Sequence, residues 1–195
     1  MKFRETRLAL TEVREEKRDE GSIITGKIPY NTRSLDLGGF YEVILPTAFA
    51  NTLNRNDEVW SLFNHDHNKA MARRSTGTLI LDSQEDGLHI EISPSNTSWG
   101  NDALEVIRHG DSDGFSFGFY SVLEDWKEEN GDIVRYLVDT VLDEVSVAFR
   151  PAYPDQAEIG IRVAPEVRAK VNNFRSQKRL KLAEYRQKFA GLTLL

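Results

Sequence analysis

The segment that decides the fold is residues 114–120, whose sequence is Gly-Phe-Ser-Phe-Gly-Phe-Tyr, in a chain of 195 residues. Three phenylalanines alternate with a serine, a glycine and a tyrosine, and this period of two is that of a β-strand. The alternation places Ser116 on the face opposite the three phenyl rings. Gly118 lies beside it on that face and, having no side chain, is expected to leave room for a substrate. The segment therefore predicts a core strand that presents a small polar side chain away from the core.

The same residues contain the pattern G-x-S-x-G, in which the serine of an α/β hydrolase stands at a sharp turn between a strand and a helix. Here the residues after Ser116 continue as a strand, and an α/β hydrolase also needs its histidine after the serine. The four histidines of the chain all precede Ser116, and they are His65, His67, His89 and His109. The α/β-hydrolase fold is therefore excluded, whereas a serine nucleophile with an upstream histidine is not.

Short segments rich in β-branched and aromatic residues flank this strand on both sides and are bounded by turn residues. They predict strands at 7–13, 22–28, 59–63, 78–81, 88–92, 115–123, 133–141 and 145–149. Helices are predicted at 46–53, at 97–109 and from Pro165 onward, the second of them ending at Gly110. The expected fold is α+β and strand-rich, a small closed β-barrel flanked by helices, with a basic helical tail at the C-terminal end.

Composition excludes several classes of protein. No cysteine is present, so disulfides, thiolate nucleophiles and thiolate zinc sites are excluded. No apolar run approaches the roughly 20 residues of a membrane span, and residues 1–5 lack the apolar stretch of a secretory signal. A soluble intracellular protein without a membrane role is therefore expected.

Charge is distributed unevenly along the chain. Residues 164–195 contain eight basic and two acidic residues, so this segment carries +6, and the total of −6 leaves −12 on residues 1–163. Nucleic-acid binding needs a basic face for the phosphates, so an acidic body argues against a direct nucleic-acid role. The tail after Pro165 is expected to be dispensable for chemistry, because basic residues interrupt its apolar stripe. The alternative is an ordinary amphipathic helix packed on the body.

A histidine and a serine that act together in hydrolysis need a third group to orient the imidazole. Asp143 and Glu144 lie in a β-branched segment, in which a charged side chain is costly without a partner. The candidate constellation is therefore His65, Ser116 and Glu144, with Asp143 as the competitor for the third position. An ordinary exposed acid at the edge of a sheet is the alternative interpretation of both carboxylates.

A metal site is a second hypothesis for the same histidine. His65 and His67 would share one face of an extended chain, as two metal ligands do. A third ligand is hard to find, because His89 is predicted on the outer side of a hairpin and His109 in the last turn of a helix. No metal and no cofactor are therefore expected.

The sequence resembles the tailed-phage prohead proteases, which are capsid-maturation proteases related in fold to the herpesvirus assemblins. The resemblance extends over about residues 26–154. The segments that carry it are, in chain order, Leu35–Ile44, Pro46–Phe49, Asn64–Asp66, Ser75–Leu79, Ser116–Phe119, Glu144–Val147 and Pro151–Pro154.

The resemblance implies that His65 is the general base and Ser116 the nucleophile. In the viral relatives the third member is a second histidine on a later strand. No histidine follows Ser116 here, so Glu144 is the expected replacement and Asp143 its competitor. The resemblance also implies that the backbone amide of Arg150 forms part of the oxyanion hole.

By the same resemblance, residues 1–160 form a prohead protease domain and residues 161–195 a basic helical tail. The protein would be a serine endopeptidase that cleaves the scaffolding portion of the major capsid protein, and itself. It would act in the host cytoplasm, packaged in the procapsid lumen, and self-association as a homodimer is expected. The competing hypothesis is a catalytically inactive scaffold or capsid-associated structural module of the same fold.

Overall fold

The computed structural model describes residues 3–10, 13–19, 21–112, 114–147 and 162–189, with the backbone alone at 10 and 185–189. Within these ranges the chain forms ten strands, three α-helices and one short 3₁₀ turn at Arg74–Thr76. The strands and helices are, in chain order, β1 (Glu5–Leu10), β2 (Arg14–Arg18), β3 (Gly21–Pro29), β4 (Tyr41–Ile44), α1 (Ala50–Asn54), β5 (Trp60–Phe63), β6 (Asp66–Arg73), β7 (Leu79–Gln84), β8 (Gly87–Ile92), α2 (Ser98–His109), β9 (Gly114–Glu129), β10 (Asp132–Val147) and α3 (Pro165–Phe189).

The strands form two sheets. The first has the order β1-β9-β10-β5-β6 with β4 also paired to β10, and the second has the order β2-β3-β8-β7. Strands β9 and β10 are antiparallel and are joined by Asn130 and Gly131, whose φ angles of 51° and 90° are the left-handed values that a two-residue hairpin turn requires. Strand β10 pairs in parallel with β4 near its start and with β5 at its end. It is the central strand of the first sheet.

The prediction of a closed barrel is wrong. Across the described part of the chain, the second sheet ends at β2 and β7, and the first ends at β6 on one side. The edge of β10 that faces away from β9 pairs with β4 near its start and with β5 at its end. Strand β5 in turn pairs with β6, and among the described residues β6 does not pair with β1, so this sheet stays open. Many short strands are common to barrels and to open sheets, so their number could not decide closure.

The other elements of the fold prediction are confirmed: the protein is α+β, rich in strands, and has a C-terminal helix. Helix α2 begins after Thr97, whose side chain accepts a hydrogen bond from the backbone N–H of Gly100, and it ends at Gly110. The segments predicted as strands at 133–141 and from 145 onward form the single strand β10 as far as Val147, and helix α1 begins at Ala50 and not at residue 46. Strands β4 and β6 were not predicted. The charged segment 14–18 forms the edge strand β2, which its composition did not predict.

The main core is a single cluster of apolar side chains from both sheets and from α1 and α2. Phe115, Phe117 and Phe119 lie in this cluster and are at most 1% exposed. The predicted alternation along β9 is therefore confirmed, and Ser116 and Gly118 lie on the opposite face of the first sheet.

The first turns of α3 belong to a second, smaller core. Val167 and Val171 are buried there, together with Phe40 and with Val163 and Ala164 from the residues just before the helix. From residue 175 to 184 every side chain of α3 is exposed. The helix therefore has a docked first part and, over residues 175–184, a solvent-exposed basic part. The domain boundary at 160 stays a prediction, because residues 160 and 161 lie outside the described ranges.

Two truncations separate these parts of α3. A chain that ends at Ala164 loses Val167 and Val171, and we expect the free energy of unfolding to fall by about 3–6 kcal/mol, because burying one valine side chain contributes about 1.5–3 kcal/mol. A chain that ends at Phe174 retains the small core, so its free energy of unfolding should be close to that of the full-length protein. Urea denaturation of the three proteins tests this expectation. Equal stability of all three would show that the second core contributes nothing to folding.

Candidate active site

The backbone around His65 forms a tight hairpin. Asn64 and His65 form the two-residue connection between β5 and β6, in which Phe63 pairs with Asp66, and their φ angles are 53° and 59°. Left-handed backbone is uncommon for residues other than glycine and is found where the surrounding structure fixes it, often at functional sites. The backbone N–H of Asn64 donates to the carbonyl of Val147 at 2.9 Å. The turn is thereby fixed to the end of β10.

A β-bulge directs Glu144 to the site. In the pairing of β9 with β10, Phe119 lies opposite Leu142 and Gly118 opposite Glu144, so Asp143 is the extra residue on β10. In a regular strand, side chains two residues apart lie on the same face, so without the bulge Glu144 would face the apolar core as Leu142 does. The bulge gives that place to Val145, which is fully buried in the core, and turns Glu144 to the other face of the sheet.

The structure brings Glu144, of the two competing carboxylates, to the imidazole. Its Oε1 lies 2.7 Å from Nδ1 of His65, and its side chain is fully buried. Arg4 donates from Nη2 to the same oxygen at 2.7 Å, and the hydroxyl of Ser146 donates to Oε2. Asp143 instead accepts a hydrogen bond from Nε of Arg4 at 2.6 Å and remains 31% exposed. Glu144 therefore has a histidine, an arginine and a serine as partners.

Ser116 lies on the strand next to Glu144 and on the same face. In the register it is opposite Ser146, two residues from Glu144 on β10. Its side chain is fully buried, and its hydroxyl donates to the backbone carbonyl of Arg7 at 3.0 Å. Nε2 of His65 is buried and has no hydrogen-bond partner within the described ranges. The structure thus places the serine on the strand next to Glu144, on the same face of the sheet, with its hydroxyl turned toward β1.

The other predicted positions lie elsewhere or outside the structure. Arg150 is outside the described residues, so its role in an oxyanion hole stays a prediction. His89 contacts Asp86 at 2.7 Å on the outer side of the β7–β8 hairpin, as expected, and His109 is exposed in the last turn of α2. Among the described residues, no group of three or more His, Cys, Asp or Glu side chains could bind a metal ion. None of the described helices has the length and apolar character needed to cross a membrane.

Gly118 has a different function from the one expected of it. A Cβ atom at this position would lie closer than 3.0 Å to the guanidinium of Arg4 and 2.7 Å from Oε1 of Glu144. The space that was expected to accommodate a substrate is therefore filled by the Arg4–Glu144 ion pair. The absence of a side chain at Gly118 allows that ion pair to lie against β9.

Sequence reasoning missed two polar partners of the site, Arg4 and Ser146. Ser146 could have been found, because it stands two residues after Glu144 in a strand and so shares its face. Arg4 had no such signal, since it precedes the first strand in a charged segment. Burial alone would lower the pKa of Arg4, but the hydrogen bond to Asp143 and the charge of Glu144 outweigh burial and raise it. The guanidinium is therefore permanently charged.

A comparison with models of known protein families shows to which family this chain belongs. A model of the caudovirus prohead serine protease family matches residues 10–169. The chain belongs to that family. The resemblance inferred from the sequence is thereby confirmed, and a prohead serine protease acts on capsid proteins in association with the procapsid. The matched range contains His65, Ser116 and Glu144, begins after Arg4 and ends within α3. No curated protein and no solved structure matches the chain.

Proposed function

We propose that this prohead serine protease is an endopeptidase that cleaves the scaffolding portion of the major capsid protein, and itself, during procapsid maturation. The observation that carries the proposal is the 2.7 Å contact between His65 Nδ1 and buried Glu144, with Ser116 on the adjacent strand and the same face. Family membership supports the class of reaction, and the geometry supports the assignment of these three residues to the catalytic site.

The proposed chemistry follows from which nitrogen Glu144 binds. A carboxylate at Nδ1 keeps the proton on that nitrogen and leaves the lone pair on Nε2. Nε2 then takes the proton of Ser116 while Oγ attacks the scissile carbonyl carbon, and Glu144 stabilises the resulting imidazolium. The imidazolium returns the proton to the leaving amine, and water hydrolyses the acyl-enzyme by the same route. Arg150 is retained as the proposed backbone donor to the oxyanion.

One rearrangement precedes this chemistry. The hydroxyl of Ser116 is buried and donates to the carbonyl of Arg7, so it has to turn from β1 toward His65. Rotation about one side-chain bond moves a hydroxyl between partners, and catalytic hydrogen bonds are often made only in the substrate complex. We propose that substrate binding drives this rotation.

A specific observation favours the second candidate, a catalytically inactive structural module of the same fold. In the described conformation Ser116 contacts Arg7 and not His65, as would be acceptable in a protein that performs no chemistry. The two candidates differ in a covalent step, because only an active serine forms an acyl or phosphonyl adduct.

The deciding experiment is co-expression with the cognate capsid protein, followed by mass analysis of the fragments. The endopeptidase predicts defined internal cleavage of the scaffolding segment and truncated forms of the protease. It also predicts that the purified protein is labelled at Ser116 by a fluorophosphonate. Intact capsid protein together with absence of label on the folded protein would favour the structural module. We further propose that the protein lies in the lumen of the procapsid and forms a homodimer. Light scattering of the purified protein tests the homodimer.

Gly118→Ala should lower the cleavage rate by about 10²-fold, because the added methyl group displaces the guanidinium of Arg4 or the carboxylate of Glu144. A displacement near 1 Å in a catalytic group has an effect of that order. The measurement is kcat on a peptide from the capsid scaffolding segment, with the melting temperature recorded in parallel.

The double variant Gly118→Ala with Arg4→Ala tests whether the methyl group acts through Arg4. Both substitutions break the Arg4–Glu144 ion pair, so Gly118→Ala should lower kcat and the melting temperature less in the Arg4→Ala background than in the wild type. If Gly118→Ala retained wild-type kcat, the described packing of Arg4 against β9 would be contradicted.

A further inference from the structure

We propose that Arg4 is a positioning residue of the active site: it fixes Glu144 against His65 from the segment that precedes β1. This inference rests on the proposed function in one respect, namely that Glu144 is the group that orients the imidazole. It adds a residue outside the range matched by the family model.

The geometry of the contact is that of a clamp. Nε of Arg4 donates to Oδ2 of Asp143 at 2.6 Å and Nη2 donates to Oε1 of Glu144 at 2.7 Å. A guanidinium is planar and rigid, so two hydrogen bonds from it fix the relative position of both acceptors. The bulge at Asp143 is the reason that two successive carboxylates can reach one guanidinium.

Electrostatics explains why such a clamp is needed. Glu144 is fully buried, and a buried carboxylate without a positive partner is strongly unfavourable. Among the described residues, its side chain contacts His65, Arg4 and Ser146, and of these only Arg4 carries a permanent charge. Arg4 therefore provides the fixed positive charge next to the Glu144 carboxylate throughout the proposed reaction.

The chain path fixes Arg4 in this place. Thr6 pairs with Gly118 in the β1–β9 register, and Arg4 precedes Thr6 by two residues, so both lie on the face that carries Glu144. Gly118 provides the space that the guanidinium occupies. Register and packing therefore support the same position independently of the hydrogen bonds.

The test compares Arg4→Met, Arg4→Lys and the control Arg18→Met in the full-length protein. Arg18 is a matched arginine, since it also contacts two carboxylates, Glu16 and Glu91, but in the second sheet. On a capsid scaffolding peptide we expect Arg4→Met to lower kcat by about 10- to 100-fold and to change KM by less than about twofold. Arg4→Lys should recover part of kcat, because an ammonium can contact one carboxylate but does not reproduce the fork.

A spectroscopic readout is independent of activity. The Nδ1 proton of an imidazole bound to a carboxylate gives a downfield proton resonance, which the loss of signal in His65→Gln assigns. We expect this resonance to move or broaden in Arg4→Met and to be unchanged in Arg18→Met. If the wild-type protein cleaved no capsid substrate, the proposed function would fail, and this resonance would still decide the position of Glu144.

A double-mutant cycle with Asp143→Asn tests the clamp itself. If Asp143 acts through Arg4, then Asp143→Asn has no further effect on kcat in the Arg4→Met background. Additive losses, a wild-type kcat in Arg4→Met, or an unchanged resonance in that variant would each overturn the proposal. Should Arg4→Met fail to fold, Arg4→Lys and Asp143→Asn carry the same comparison.

Discussion

Ser116→Ala is expected to lower the cleavage rate by about 10⁴-fold or more, because removing the nucleophile removes the covalent step on which the other groups act. The fold should survive. The side chain is small, points away from the phenylalanine core and makes one hydrogen bond, to the carbonyl of Arg7. Losing one neutral hydrogen bond costs about 1 kcal/mol of the free energy of unfolding. The measurement is the rate of capsid-protein processing, together with a denaturation curve of the variant.

Ser146→Ala is the matched control. Ser146 is buried like Ser116, lies opposite it on the same face and also makes a single side-chain hydrogen bond, in this case to Glu144. Its loss should reduce kcat far less, because it supports the carboxylate and does not attack the substrate. If Ser116→Ala processed capsid protein at the wild-type rate while Ser146→Ala did not, Ser146 would take over the role of nucleophile.

Much of the site could be predicted because local patterns control it. The period of two along residues 114–120 is sufficient to place Ser116 away from the core, and the structure confirms it. Helix α2 has its cap at Thr97 and its stop at Gly110, both local signals. These features depend on the backbone and on neighbouring residues, so a single sequence contains the information.

Other features depend on pairing between distant segments. The choice of Glu144 over Asp143 at the imidazole results from a bulge, which exists only because Phe119 and Gly118 lie opposite Leu142 and Glu144. Arg4 reaches the site because β1 pairs with β9, more than 100 residues later. Sheet closure likewise depends on the order of strands, and there the prediction of a barrel was wrong. Register and strand order are tertiary properties that local periodicity does not determine.

A buried ionic cluster beneath α3 gives a large expected effect on stability. Arg135 is fully buried, and its guanidinium contacts Glu5 at 2.9 and 3.0 Å, Glu42 at 3.0 Å and Glu124 at 2.7 Å. Arg7 contacts Glu5 and Glu42 as well, at 2.8 Å each. The cluster joins β1, β4, β9 and β10, so it connects the strand that follows Arg4 to the centre of the first sheet.

Arg135→Met should lower the free energy of unfolding by about 3–5 kcal/mol, because removing one partner of a buried ion pair leaves uncompensated charge in the interior. Two comparisons isolate the cause. Arg18→Met, at an exposed ion pair, should unfold like wild type. Adding Glu42→Gln to Arg135→Met should recover part of the loss, since it removes one of the stranded carboxylates. Urea denaturation at pH 7 measures all four proteins, and equal stability of Arg135→Met and wild type would contradict this account.

The dependence of this loss on pH provides a further test. Burial alone would raise the pKa of Glu124, but hydrogen bonds from Lys170 and Trp126 and the charge of Arg135 lower it from 4.5 to about 2. Burial alone would also raise the pKa of Glu5, but its contacts with Arg135 and Arg7 outweigh burial and lower it. A carboxyl whose pKa is lower in the folded than in the unfolded state stabilises the fold at pH values above its unfolded-state pKa. This contribution is lost as the pH falls through the folded-state pKa. Wild type should therefore lose stability between about pH 4.5 and pH 2.

In Arg135→Met, Glu124 and Glu5 lose one of the partners that oppose the effect of burial, so the pKa of each carboxyl rises relative to wild type. Protonation then removes uncompensated charge in the variant, whereas in wild type it breaks an ion pair. The stability difference between wild type and Arg135→Met should consequently shrink as the pH is lowered from 7 toward 2. Denaturation curves at several pH values measure that difference directly. A difference that stays constant over this range would mean that the lost stability comes from packing of the arginine side chain and not from its charge.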